Sequence, residues 1–223
     1  MKRVIGLEVF IMNGNLIITI GRECGSGGRE IGKKIADRLG IAYYNKELLT
    51  EAARQSGLSE DILETNDERP TNSLLYSIVM DTYSFGYATS STMDMPINNK
   101  VFLAQFNAIK TIAAKGPCVI VGRCADYALS GNEDCVSLFI TADMKFRTRR
   151  ISAENNLTVE KAKAFIKKTD KKRSSYYNFY TEKKWGEACS YDFCVCSSRY
   201  GIDKTVEIIL NYLKTIGRID QDA

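Results

Sequence analysis

LIITIGRECGSGGREIGKKIADRLG, residues 16–40, holds four glycines within the eight residues from Gly21 to Gly28. A β-branched apolar run, Leu16 to Ile20, leads into the glycines. After them Ile31, Ile35, Ala36 and Leu39 recur at i, i+4, i+5 and i+8, an apolar helical stripe. Gly40 closes the stripe with a residue suited to a left-handed helix terminus. The segment therefore reads strand, glycine loop, helix. Glycines let backbone amides approach an anion closely, and the helix start adds unpaired N–H groups and the positive end of its dipole. An anion site is predicted from Gly25, Ser26, Gly27, Gly28, Arg29 and Glu30, with Arg22 at the strand end. A tight strand-to-helix turn is the plainer use of the same glycines.

Outward from this loop, strand-like runs alternate with helical ones, the α/β pattern. Leu16–Ile20, Val119–Val121, Val136–Ile140 and Tyr191–Cys196 read as strands, and a short one near Ile41–Tyr44 completes five. Such continuous apolar runs suit a parallel sheet covered on both faces. Helices are predicted over Lys46–Gln55, Ser73–Tyr83, Val101–Ala114, Lys145–Ser152 and Ile202–Ile216. A longer lysine-rich helix starts near Thr158, after the Asn155-Asn156 break. Pro70, Thr71 and Asn72 mark a loop, and Ala88–Asn99 has little pattern. One domain over residues 15–217 is expected, with an N-terminal extension over 1–14, a lid over about 157–185 and a tail over 218–223.

Composition narrows the chemistry. The 223 residues, 44% apolar, are enough chain for one sizeable core. A net charge of +4 suits an enzyme for anionic substrates but does not by itself imply a nucleic-acid partner. The sequence has no histidine, which removes His-dependent hydrolysis and His-bearing zinc sites. Lys, Arg, Asp, Glu and backbone amides remain, an inventory suited to phosphoryl transfer by positioning and charge neutralisation. The seven cysteines lack CxxC spacing and are expected mostly as buried thiols. The first twenty residues show neither a cleavage site nor an apolar span of roughly 18, so no export signal or membrane span is expected and the location is read as cytoplasmic.

Five blocks in order carry a resemblance: IGRECGSGGREIGKKIADRLGIAYYNKELL, GPCVIVGRCADYAL, the Asp170–Arg173 pair, YYNFYTEKKW and YDFCVCSSRYGID. Over Leu16 to Ile209 the chain resembles the cytidylate kinase-like family, a branch of the P-loop nucleoside monophosphate kinases. The resemblance implies a three-layer α/β fold with a five-stranded parallel sheet, a helical lid and an acceptor-binding insert. It also implies phosphoryl transfer from ATP, with Mg2+, to a nucleotide such as CMP or another small phosphate acceptor.

The carry-over departs from the family pattern at several positions. Gly25-Ser26-Gly27 match the Gly-x-Gly of the loop, but the lysine position falls on Gly28 and the hydroxyl position on Glu30. Arg29 is the nearest cation and is expected to stand in for the lysine in catalysis, and Ser26, Glu30 or water is left for the metal. Gly122-Arg123 with Asp126 resembles the acceptor-binding Gly-Arg-Asp segment, and Asn45 stands where the family has Asp. Two acceptor arginines appear as Glu51 and Phe102. Lys167, Asp170 and Arg173 fall at i, i+3 and i+6, so a basic lid face is expected to close over the phosphates, a solvated charged face being the alternative. Tyr176, Tyr177, Tyr180 and Trp185 are expected to pack the lid rather than to stack on a base. Beside a kinase, a catalytically weak nucleotide-binding regulator fits the missing lysine and hydroxyl.

Overall fold

The computed structural model describes residues 10–12, 14–69 and 95–221. The predicted helix over Ser73–Tyr83, the loop at Pro70–Asn72 and most of the Ala88–Asn99 stretch lie outside the described residues. Five strands form one parallel sheet: β2 (Ile17–Arg22), β3 (Ala42–Tyr44), β4 (Cys118–Val121), β5 (Cys135–Thr141) and β6 (Phe193–Cys196). Their order across the sheet is β3-β4-β2-β5-β6. Ile17 pairs with Cys118 on one side and Cys135 on the other, which places β2 at the centre.

The alternation of side chains along a strand sorts the core into two layers. Ile18 and Ile20 point to the face covered by α1 (Gly28–Leu39) and a helix over Ile202–Thr215, where they meet Ile31, Ile35, Ile209 and Leu213. Ile17 and Ile120 point to the other face, against Ile109 and Ile112 of a helix over Ile97–Lys115. Burial on both faces is why these strands read as unbroken apolar runs. In chain order the helices are α1, α2 (Glu47–Ser56), α3 (Glu60–Asn66), α4 (Ile97–Lys115), α5 (Ala125–Ala128), α6 (Met144–Asn155), α7 (Val159–Tyr180), α8 (Ser197–Tyr200) and α9 (Ile202–Thr215).

The two ends of the described chain meet. β1 (Phe10–Met12) pairs antiparallel with β7 (Ile219–Gln221), Phe10 opposite Gln221. Part of the expected extension and tail thus forms a two-stranded ribbon, and Met12 and Ile219 join the α1–α9 core layer. No described helix is long and apolar enough to cross a membrane.

α7 is the lid candidate. Thr158 caps it by accepting from the Lys161 amide, and its 22 residues extend about 33 Å. Its N-terminal half is pinned by fully buried Ala162 and Ile166 against Cys24 and Ile151. Its C-terminal half sends Tyr176, Tyr177 and Tyr180 into an aromatic cluster with Phe102, Phe139 and Tyr191, so packing is what these tyrosines do. Strands leave β2 on either side toward β4 and β5, the switch point outside whose carboxyl ends open α/β sheets bind ligands.

Candidate active site

The glycine loop lies at that switch point. Gly25 and Gly27 have φ of 79° and 83°, left-handed values that favour glycine. A Cβ on Gly25 would also stand 2.9 Å from the Arg147 carbonyl oxygen. The first helical bond of α1 runs from the Ile31 amide to the Gly27 carbonyl at 2.9 Å. The amides of Gly28, Arg29 and Glu30 therefore have no intrahelical acceptor, and no side chain caps this end. Beside them is a cavity of about 520 Å³ lined by the loop glycines and by Arg22, Arg29, Arg150 and Arg173. An uncapped helix start and four guanidiniums suit a polyanion.

Around the cavity a lattice of ion pairs fixes the loop. Glu23 accepts from the Ala142 amide at 2.9 Å and pairs with Arg147 at 2.7 Å. Arg147 donates to the Cys24 carbonyl at 2.8 Å and also pairs with Asp170 of α7. Asp170 accepts from the Cys24 amide at 2.7 Å, so α7 holds the loop directly. Burial raises the Asp170 carboxyl, with the Cys24 amide and Arg147 opposing.

On the other side of Arg22 lies a second cluster. The Arg22 side chain, 8% exposed, pairs with Glu68 at 2.7 Å, and Arg173 reaches the same carboxylate at 3.3 Å. Burial works against the Glu68 charge, yet the Arg22, Arg173 and Arg123 guanidiniums outweigh it and hold the carboxyl well below its usual range. Glu68 stands in left-handed backbone, φ 51°, uncommon for a residue with a Cβ. Next to it, Asp67 takes Arg123 in a two-bond fork, both bonds 2.9 Å. The chain's own acids thus occupy the arginine cluster. Only a cavity of about 20 Å³ remains there, room for a single water. Asp126 lines it and accepts from the Tyr177 hydroxyl at 2.6 Å, while burial pushes its carboxyl up. Arg22 Nε faces this region without a hydrogen-bond partner among the described residues.

A family model for the cytidylate kinase-like family matches residues 17–199. This chain belongs to the cytidylate kinase-like family. An uncharacterized protein from Eubacterium ventriosum ATCC 27560 is similar in structure, with 31% identity over 90% of this chain and 99% of that one and a TM-score of 0.67. Shikimate kinase from Acinetobacter baumannii, solved with shikimate, is similar at TM-score 0.50 and 12% identity, covering 92% of this chain and 96% of that one. A gluconokinase from Sinorhizobium meliloti 1021 is similar at TM-score 0.50 and 14% identity, covering 92% and 94%. At such identities these two likenesses speak for the fold alone. No curated protein gives a match.

Within this cytidylate kinase-like fold, the residues singled out by sequence separate. Arg22, Gly25, Gly27, Gly28, Arg29, Glu30 and Arg173 line the larger cavity, and Arg123 and Asp126 the smaller one. Asp170 acts beside the loop through Cys24 and Arg147. Four expectations change. Ser26 is buried, and its hydroxyl donates to the Glu23 carbonyl at 2.9 Å, so it is spent inside the loop. Lys167 is exposed on α7 and lines neither cavity, because the buried stripe through Ala162 and Ile166 turns Asp170 and Arg173 inward instead. Asn45 also lines neither cavity and enters only through its backbone carbonyl, which accepts from Arg123. Arg29, expected as the lysine's stand-in, shares the cavity with Arg22 and with Arg150 and Arg173, which folding adds from distant segments.

Where the family resemblance expects acceptor arginines, the structure shows structural roles. Glu51 is tied to Arg54 at 2.7 Å and Lys115 at 3.1 Å, which push its carboxyl down to about 2. Phe102 is 1% exposed and stacks on Tyr180, ring centroids 4.0 Å apart. Glu23, Asp67, Glu68, Arg147 and Arg150 were not singled out by sequence. Glu23 lies inside the glycine-loop block without a role of its own in that pattern, and the other four sit in segments with no motif, so no local signal marks their partners. Nor are the cysteines mostly buried: Cys24, Cys118 and Cys124 are, while Cys189 and Cys194 are exposed. No group of three or more metal-ligating side chains occurs among the described residues.

Proposed function

We propose that this chain is an ATP-dependent phosphotransferase of the nucleoside monophosphate kinase type, acting on a nucleotide or another small phosphate acceptor. The observation that carries this reading is the donor cavity, where an uncapped helix start and glycine loop face Arg22, Arg29, Arg150 and Arg173. Guanidiniums so placed would neutralise charge on the phosphoryl oxygens as it shifts during transfer. The lid helix, fixed to the loop by Asp170 and Ile166, would keep water from the phosphates.

Magnesium fits this donor set poorly as a protein-held ion. Glu23 and Asp170 pair with Arg147, Glu30 with Arg150, and the Ser26 hydroxyl is used within the loop. The ion would arrive on the nucleotide's own phosphates. On the acceptor side, no arginine stands at residues 51 and 102, which disfavours CMP held by the usual contacts.

One observation favours a second reading, a nucleotide-binding regulator of low activity: Arg22 and Arg173 are already engaged by Glu68. ATP turnover measured with CMP, dCMP, UMP, AMP and non-nucleotide phosphates separates the two. Acceptor-dependent turnover is the result expected. Tight ATP binding without turnover for any acceptor supports the regulator, and absence of ATP binding removes both.

A further inference from the structure

We infer that the cation of the phosphate loop has exchanged places with a glycine: Arg22 does the work of the lysine expected at position 28, and Gly28 is glycine because Arg22 occupies its space. This rests on the loop being the donor-phosphate site. The Gly-x-x-x-x-Gly-Lys core of the phosphate-loop pattern, laid with its second glycine on Gly27, puts the first glycine at position 22 and the lysine at 28. This chain has Arg22 and Gly28 at those two positions.

The structure explains why the two changes go together. A Cβ on Gly28 would lie 2.6 Å from the Cβ of Arg22 and 3.2 Å from its Cγ. The nearer of these atoms belongs to the rigid base of the side chain, so rotation about χ1 does not relieve the overlap. Gly28 begins helix α1 and is not among the residues of positive φ, so its dihedrals do not call for glycine. With this backbone, positions 22 and 28 cannot both carry side chains.

Arg22 is also placed for the task. It is 7% exposed, lines both the donor cavity and the small cavity beside Asp126, and leaves its Nε without a partner among the described residues. Arg29, by contrast, is exposed at the edge of the donor cavity. Arg22 stands at the boundary between the two cavities, where its planar fork can hold two phosphoryl oxygens at once. Glu68, 2.7 Å away, is its counter-ion at rest.

The experiment uses the full chain and tripolyphosphate, which offers the anion without a nucleoside. Calorimetric titration and thermal unfolding are run on the wild type, Arg22→Gly, Gly28→Lys and the double variant, which restores the ordinary glycine and lysine at positions 22 and 28. Arg22→Gly is expected to bind roughly tenfold or more weakly, as loss of a charge-assisted contact predicts. Gly28→Lys is expected to melt lower than the wild type. The double variant should melt above Gly28→Lys and bind tripolyphosphate more tightly than Arg22→Gly. Arg22→Gln keeps the Cβ without the charge and should lose affinity like the glycine variant if that one fails to fold. A wild type that does not bind tripolyphosphate overturns the inference, as does unchanged affinity in Arg22→Gln or a double variant no better than its parents. ATP turnover is scored separately: tripolyphosphate binding that depends on Arg22, without turnover, leaves the inference standing and removes the kinase reading.

Discussion

Glu68→Gln tests whether the buried acid is what holds the arginine cluster together. In the wild type the carboxylate meets Arg22 at 2.7 Å and Arg173 at 3.3 Å, with side-chain exposures of 8%, 14% and 11% for Arg22, Arg173 and Glu68. Removing one partner of a buried pair leaves uncompensated charge and costs about 3–5 kcal/mol. Glutamine keeps the shape and one acceptor oxygen, so about 3 kcal/mol is expected at pH 7. For a chain of this length, that is a fall in Tm of roughly 6–12 °C. The sign with pH follows from the depressed carboxyl. Its stabilisation is fully present above the unfolded pKa of about 4.3 and is lost as pH falls through the folded value. The gap between wild type and variant should therefore be wide at pH 7 and narrow in acid. Sulfate offers a second readout. With Glu68 neutral, Arg22 and Arg173 are free to take an anion, so sulfate at constant ionic strength should raise the Tm of the variant more than that of the wild type. Denaturant and thermal unfolding measure all of this. A loss below about 1 kcal/mol at pH 7, or a gap that stays constant into acid, would refute the reasoning.

Three further outcomes are expected. Phe102→Arg, which returns the family's arginine, should destabilise the protein by more than about 4 kcal/mol because it buries an unpaired charge where a ring now stacks on Tyr180; equilibrium unfolding checks this. Asp126→Asn should equal or exceed the wild type in stability at pH 8. The raised folded pKa means the ionised form costs stability once pH passes the unfolded value near 3.9, so the benefit should vanish in acid; unfolding curves at both ends show it. Lys167→Ala should change stability by no more than about 0.5 kcal/mol and leave ATP affinity where it was, whereas Asp170→Asn should loosen the loop, seen as faster hydrogen exchange at Cys24.

The fold was legible because its signals are local. Five apolar runs, a helical stripe ending in Gly40 and the Asn155-Asn156 break gave strands and helices whose observed edges move by a few residues. The order β3-β4-β2-β5-β6 was not read from the sequence, because neighbouring strands are joined across long connections. The loop was legible too, since glycine at residues 25 and 27 meets a dihedral need that composition alone announces. What sequence could not supply is the pairing of charges. Arg22 and Glu68 lie 46 positions apart, and Glu23 and Arg147 belong to separate elements, so neither partner carries a mark of the other.

Helical spacing put Lys167, Asp170 and Arg173 near one face, but only the packing of Ala162 and Ile166 determined that the acid and the arginine turn inward while the lysine stays outside. Likewise the sequence showed that the loop lysine is missing, and only the structure shows that Arg22 occupies the space beside Gly28. Periodicity and backbone conformation are written residue by residue, so the chain by itself determined its strands, its helices and an anion-ready loop. Charge neutralisation acts through space between groups brought together by folding, so which arginines face the cavities, and which acids hold them at rest, was decided only in the tertiary structure.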